Sequence, residues 1–80
     1  MTTVILVHRW DASPTSDWYP WLNAELRRYG VELQIPAMPH PDAPRIEEWV
    51  GHLQRLLHPD ANTILVGHSI GCQTILRYLE

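Results

Sequence analysis

Ser69 is the residue of this chain best placed for covalent chemistry. It lies in Gly67-His68-Ser69-Ile70-Gly71, after the apolar run Thr63-Ile64-Leu65-Val66 and before a helix-like run from Cys72 to Glu80. G-x-S-x-G in the order strand, turn, helix is the context of a nucleophile elbow. A serine held there can attack a carbonyl carbon and carry the acyl group as an ester intermediate. The turn is tight enough to strain the backbone at Ser69, and side chains at positions 67 and 71 would collide, so both are glycine. The N–H of Ile70, at the start of the following helix, points at the oxyanion that develops during attack.

These residues need a frame, and the hydrophobic pattern supplies one in the order β-α-β-α-β-α. Strand one is Thr3 to Val7, continuously apolar as in strands buried on both faces. Helix one is expected from about Trp18 to Tyr29, capped by Ser16 or Asp17, with Pro20 in its tolerant first turn. Trp18, Trp21, Leu22, Leu26 and Tyr29 recur at helical spacing and form its expected apolar face. Gly30 ends it. Strand two, Val31 to Ile35, alternates outward at Glu32 and Gln34, as suits an edge. Pro36 to Pro44 holds four of the seven prolines and must be an extended loop. Helix two spans about Arg45 to Leu57, with Ile46, Trp49, Val50, Leu53, Leu56 and Leu57 inward. Strand three is Thr63 to Val66. Helix three follows the elbow with Ile75, Leu76 and Leu79 inward.

Strands separated by helices pair in parallel through right-handed crossovers. The expected fold is therefore α/β: a three-stranded parallel sheet in the order 2-1-3, with helix one on one face and helices two and three on the other. Strands one and three, apolar throughout, are expected inside. Ligands of such sheets bind at the strand ends flanking the point where the chain reverses direction. Two loops meet there: His8-Arg9-Trp10-Asp11 after strand one, and His68-Ser69-Ile70 after strand three. Topology and motif select the same place independently.

Composition narrows the partners. All six basic residues are arginines, scattered along a chain of net charge -3, so no nucleic-acid surface is expected. No stretch approaches the roughly 20 apolar residues of a membrane span. The apolar run near Met1 lacks the basic start and length of a signal peptide. Cys72, the single cysteine, has no internal disulfide partner, and a cytoplasmic location is the simplest expectation.

Val4-Ile5-Leu6-Val7-His8, Ser13-Pro14, Trp18-Tyr19-Pro20-Trp21-Leu22, Ile35-Pro36-Ala37-Met38-Pro39, Gly67-His68-Ser69-Ile70-Gly71-Cys72 and Arg77-Tyr78 together resemble the small single-domain α/β-hydrolases. The closest group is the one typified by the retinoblastoma-binding serine hydrolase and its bacterial relatives. The resemblance spans essentially residues 1–80, read as the N-terminal part of one α/β-hydrolase domain. It implies Ser69 as nucleophile, an oxyanion loop at His8 to Ala12 with Trp10 as second donor beside Ile70, no cofactor, and hydrolysis of small carboxylic esters or amides.

Two departures stand out. The family usually has glycine after the strand-one histidine and again soon after; this chain has Arg9, Asp11 and Ala12, and arginine restricts close backbone approach to an oxyanion. In α/β-hydrolases the acid and the histidine follow the serine, whereas the eleven residues after Ser69 contain neither Asp nor His. A chain of this size also buries only about 60% of its unfolded surface. It is therefore expected to be a fragment, nearly inactive alone, with the edge of strand three open to self-association.

Among substitute bases, His68 neighbours Ser69 on a turn whose side chains diverge. His8 approaches more closely, but packing in the loop is its expected role. No metal site is expected from His8, His68 and Asp11, since their spacing matches no ligand pattern. His40, His52 and His58 are expected at the surface, and Cys72 in a small apolar gap beside the elbow. A non-catalytic module that binds a partner is the alternative to a serine hydrolase.

Overall fold

The computed structural model describes residues 2–80. The continuous apolar run at Thr3–Val7 forms β1, which lies centrally in a parallel sheet of order β2-β1-β3. β2 is Glu32–Gln34, and β3 is Thr63–Gly67. Thr3 pairs with Glu32 on one side and Thr63 on the other, and Val7 reaches Gly67 at the far end of β3. Val4 to Val7 are buried, because β1 is covered on both faces and both edges.

Three helices, α1 (Tyr19–Arg28), α2 (Ile46–Leu56) and α3 (Ile70–Leu79), alternate with the strands. The side chains of β1 divide between two cores, as the pleat requires. Ile5 and Val7 pack with Met38, Trp49, Leu53, Leu57 and Ile75, under α2 and α3. Leu6 packs with Ala12 and Tyr19, joined by Leu22, Leu33, Ile35 and Val66, on the α1 side. Helix one is thus on one face and helices two and three are on the other, as expected from right-handed crossovers.

Several local expectations are corrected. Neither Ser16 nor Asp17 caps α1; Trp18 holds that position without a side-chain bond. Both candidates are engaged elsewhere: Ser16 Oγ accepts the N–H of Ser13, and the Asp17 carboxylate is bound by Arg9. The inward face of α1 is Tyr19, Leu22 and Leu26, while Trp18, Trp21 and Tyr29 are exposed. Starting the helix at Tyr19 places Trp21 on its far side. Leu56 is exposed where Leu57 turns in, and Thr74 with Ile75, not Leu76 or Leu79, forms the buried face of α3. β3 is not interior: it is an edge strand, and Ile64 is 51% exposed. Cys72 is exposed rather than filling a gap, because it lies on the outer side of the first turn of α3.

Candidate active site

Ser69 joins β3 to α3 with φ 58° and ψ -118°. This left-handed region is costly for a residue with a Cβ, of order 1–3 kcal/mol, and persists only where the surroundings impose it. The two glycines show what imposes it. A Cβ on Gly67 would lie 2.5 Å from the N of Cys72, and a Cβ on Gly71 would overlap the carbonyl oxygen of Val7. Helix and strand can approach this closely only because both side chains are absent. The Val7 carbonyl is also the acceptor for the His68 N–H at 3.1 Å, so β1 anchors the turn directly. The Ser69 side chain stands exposed at the carboxyl end of the sheet.

The β1 loop lies beside it. His8 is fully buried, and both ring nitrogens are used. Nδ1 lies 2.8 Å from the Arg9 carbonyl, which can only accept, so Nδ1 carries the proton. Nε2 then accepts the N–H of Met38 at 3.2 Å. The ring packs edge-on against Trp49, whose Nε1–H donates to the Pro39 carbonyl at 2.7 Å. His8 therefore ties the loop after β1 to the Met38-Pro39 segment, and its lone pair is not available to Ser69. Burial holds its pKa below the ordinary imidazole value, with the nearby Arg9 charge acting in the same direction and the Arg9 carbonyl opposing.

The sign of the resulting pH dependence follows. With the folded pKa lowered, the unfolded chain binds more protons, so stability falls as pH drops below the ordinary imidazole value of about 6.5. We expect the urea midpoint to decline between pH 7 and pH 5, and His8→Asn to flatten that decline. An unchanged slope in the variant would contradict it.

Arg9 does not adopt the left-handed backbone that glycine would permit. Asp11 does, with φ 56°, and aspartate tolerates it better than most residues. The Arg9 guanidinium turns back to Asp17, with Nε–Oδ2 at 2.6 Å and Nη2–Oδ1 at 3.1 Å, and donates to the carbonyls of Trp10 and Asp11 at 2.7 and 3.4 Å. Hydrogen bonding to Arg9 lowers the Asp17 pKa, and the same bond raises that of Arg9. Trp10 is 59% exposed, and its Nε1–H donates to the Asp42 carbonyl at 2.9 Å. Among the described residues, no backbone carbonyl accepts the N–H of Trp10 or of Ile70.

His68 turns away from Ser69 toward α1: its Nδ1 is 2.8 Å from the Tyr19 hydroxyl and 3.9 Å from Asp17 Oδ2. The geometry places Gly67, His68, Ser69, Ile70 and Gly71 at the elbow and His8, Arg9 and Trp10 on the β1 loop, joins the two through Tyr19, and sets Asp17 beside them; Tyr19 and Asp17 are residues the motifs had not marked. A tyrosine at the start of a helix, a polar tip on an otherwise buried ring, was the available signal.

Comparisons with known proteins identify the family. The serine hydrolase family model matches residues 4–80. The chain belongs to the serine hydrolase family. YdeN of Bacillus subtilis (strain 168) is 46% identical over 80 residues, covering 96% of this chain and 41% of that protein. Serine hydrolase RBBP9 of Rattus norvegicus is 34% identical over 67 residues, covering 82% of this chain and 36% of its own length. The crystal structure of the ydeN gene product superimposes with a TM-score of 0.87 at 43% identity, over 100% of this chain and 44% of that one. The chain thus spans less than half the length of these relatives, and its sheet is part of an α/β-hydrolase fold. Among the described residues, no helix is long and apolar enough to cross a membrane.

Proposed function

We propose that Ser69 is the nucleophile of a hydrolase acting on small carboxylic esters or amides, with the Ile70 and Trp10 N–H groups binding the oxyanion. The observation that carries this reading is the strained, exposed backbone of Ser69 between two glycines that admit no Cβ. Ser69 Oγ attacks the carbonyl carbon, the alcohol or amine departs, and water releases the acyl group. Each step needs a base to take or return the proton. His8 and His68 are both engaged elsewhere, so the reading assigns that base, and the acid that orients it, to sequence following the serine, as in other α/β-hydrolases. A cytoplasmic location belongs to the same reading and rests on the unpaired Cys72.

The test compares the 80-residue chain with the same sequence extended by the remaining part of YdeN. The extended protein is expected to hydrolyse short-chain esters, and the 80-residue chain to be nearly inert. The one observation favouring a non-catalytic module is that neither imidazole near the elbow is free. An extended protein that binds ester analogues without turning them over would select that module.

We further propose that the 80-residue chain self-associates through β3, pairing this edge with a second copy. Within the described sheet, β3 pairs only with β1, and Ile64 on it is 51% exposed. Short, apolar, unblocked edges pair with other chains. Light scattering should give a mass that rises with concentration, and Ile64→Lys should restore the monomer. A monodisperse monomer at all concentrations would rule this out.

A further inference from the structure

We infer that Tyr19 is a positioning residue for hydrolysis: its buried hydroxyl ties the loop bearing the Trp10 N–H to the elbow bearing Ser69. This rests on the hydrolase reading above.

The Tyr19 side chain is fully buried at the start of α1, edge-on to Trp18 and to His68, with centroids 4.9 and 5.8 Å away. The Arg9 N–H donates to its hydroxyl oxygen at 3.1 Å. The other partner is His68 Nδ1 at 2.8 Å. An amide can only donate, so the hydroxyl oxygen accepts from Arg9, and its remaining capacity, one proton and one lone pair, meets His68 Nδ1. Either neutral tautomer of His68 completes the bond at Nδ1, so the hydroxyl is held from both sides. Burial raises the phenol pKa, so the proton stays in place at neutral pH.

The two partners are what give the link its consequence. Arg9 immediately precedes Trp10, and His68 immediately precedes Ser69. The hydroxyl therefore sets the distance between an oxyanion donor and the nucleophile. Such donors act only when they lie about 2.7–3.1 Å from the developing charge. The Arg9–Asp17 ion pair braces the same loop from outside, with Asp17 close to the start of α1. Packing alone would be served equally by phenylalanine. The hydroxyl is what fastens the two loops.

Tyr19→Phe tests this, with folding checked by circular dichroism. In the 80-residue chain, amide exchange at Arg9 is expected to accelerate at least tenfold and the His68 Nδ1 resonance to shift. In the extended protein, kcat is expected to fall about tenfold with KM within about twofold, the signature of a group that acts in the transition state. If the phenylalanine variant does not fold, His68→Ala removes the elbow half of the link while the Arg9 N–H keeps its bond to the Tyr19 hydroxyl, and it carries the same expectation for kcat and KM. Unchanged exchange and resonance would overturn the inference. So would changed exchange with unchanged kcat, which would leave the link purely structural. If the unmutated extended protein shows no Ser69-dependent turnover, the hydrolase reading itself fails and the positioning role falls with it. That failure is recognisable because the Arg9 and His68 signals still respond.

Discussion

Alanine at position 69 is expected to abolish ester turnover by the extended protein, by on the order of a millionfold in kcat if it behaves like other serine nucleophiles. On the proposed reading, removing Oγ removes the atom that would form the acyl bond, and neither His8 nor His68 would replace it, since each is held in another hydrogen bond. Whatever rate remains must come from binding and the oxyanion donors. Stability should move the other way in a companion variant. Ser69 carries φ 58° with ψ -118°, a conformation that glycine adopts without penalty. Ser69→Gly should therefore raise the melting temperature while eliminating turnover. Loss of activity with a gain in stability is what a strained catalytic position produces, and a damaged fold does not. Equal destabilisation by alanine and glycine would contradict the strain.

Gly71→Ala is expected to destabilise the chain strongly. The added Cβ overlaps the Val7 carbonyl, and this backbone group has no rotamer with which to yield. Relief requires α3 to move away from β1, which breaks the His68-to-Val7 bond and opens the core around Val7 and Ile75. Overpacking of this kind typically costs about 1–3 kcal/mol, and more against rigid backbone. A small domain has only about 0.05–0.15 kcal/mol per residue in total. Gly51 is the internal control. It lies within α2, and a Cβ there meets only the flexible end of Arg55 at 3.4 Å. Gly51→Ala should stabilise by about 0.5–1 kcal/mol through helix propensity. Urea titrations of the two alanine variants should therefore diverge in opposite directions from the parent. A folded Gly71→Ala chain with an unchanged midpoint would show that the close approach of helix and strand is not required.

What was legible in the sequence was local or strongly periodic. An uninterrupted apolar run announced β1, and two glycines flanking Ser69 announced a turn too tight for side chains. The outward polar residues of β2 placed it at an edge, and from there the strand order followed. The α1 face was misread because Trp21 and Tyr29 are large and apolar yet stand off the line of Tyr19, Leu22 and Leu26. Periodicity over one short helix does not separate the two stripes when aromatic residues crowd both. Leu76 and Leu79 were misread differently: they are apolar, but no described element covers their side of α3. The link through Tyr19 was beyond local pattern. It joins residues 49 apart in sequence, and it depends on a hydroxyl whose partners are known only once β1 and β3 lie side by side. Arg9 was read as an obstacle to the oxyanion loop. The structure turns its side chain to Asp17 and places the left-handed residue at Asp11 instead.

The central claim is that Ser69 is the nucleophile, and mapping a fluorophosphonate adduct by peptide mass spectrometry tests it most directly. In the extended protein the account predicts a single phosphonylated residue, Ser69, with labelling and ester turnover lost in parallel and both absent from Ser69→Ala. An adduct on another residue, or ester turnover that persists in Ser69→Ala, would contradict it.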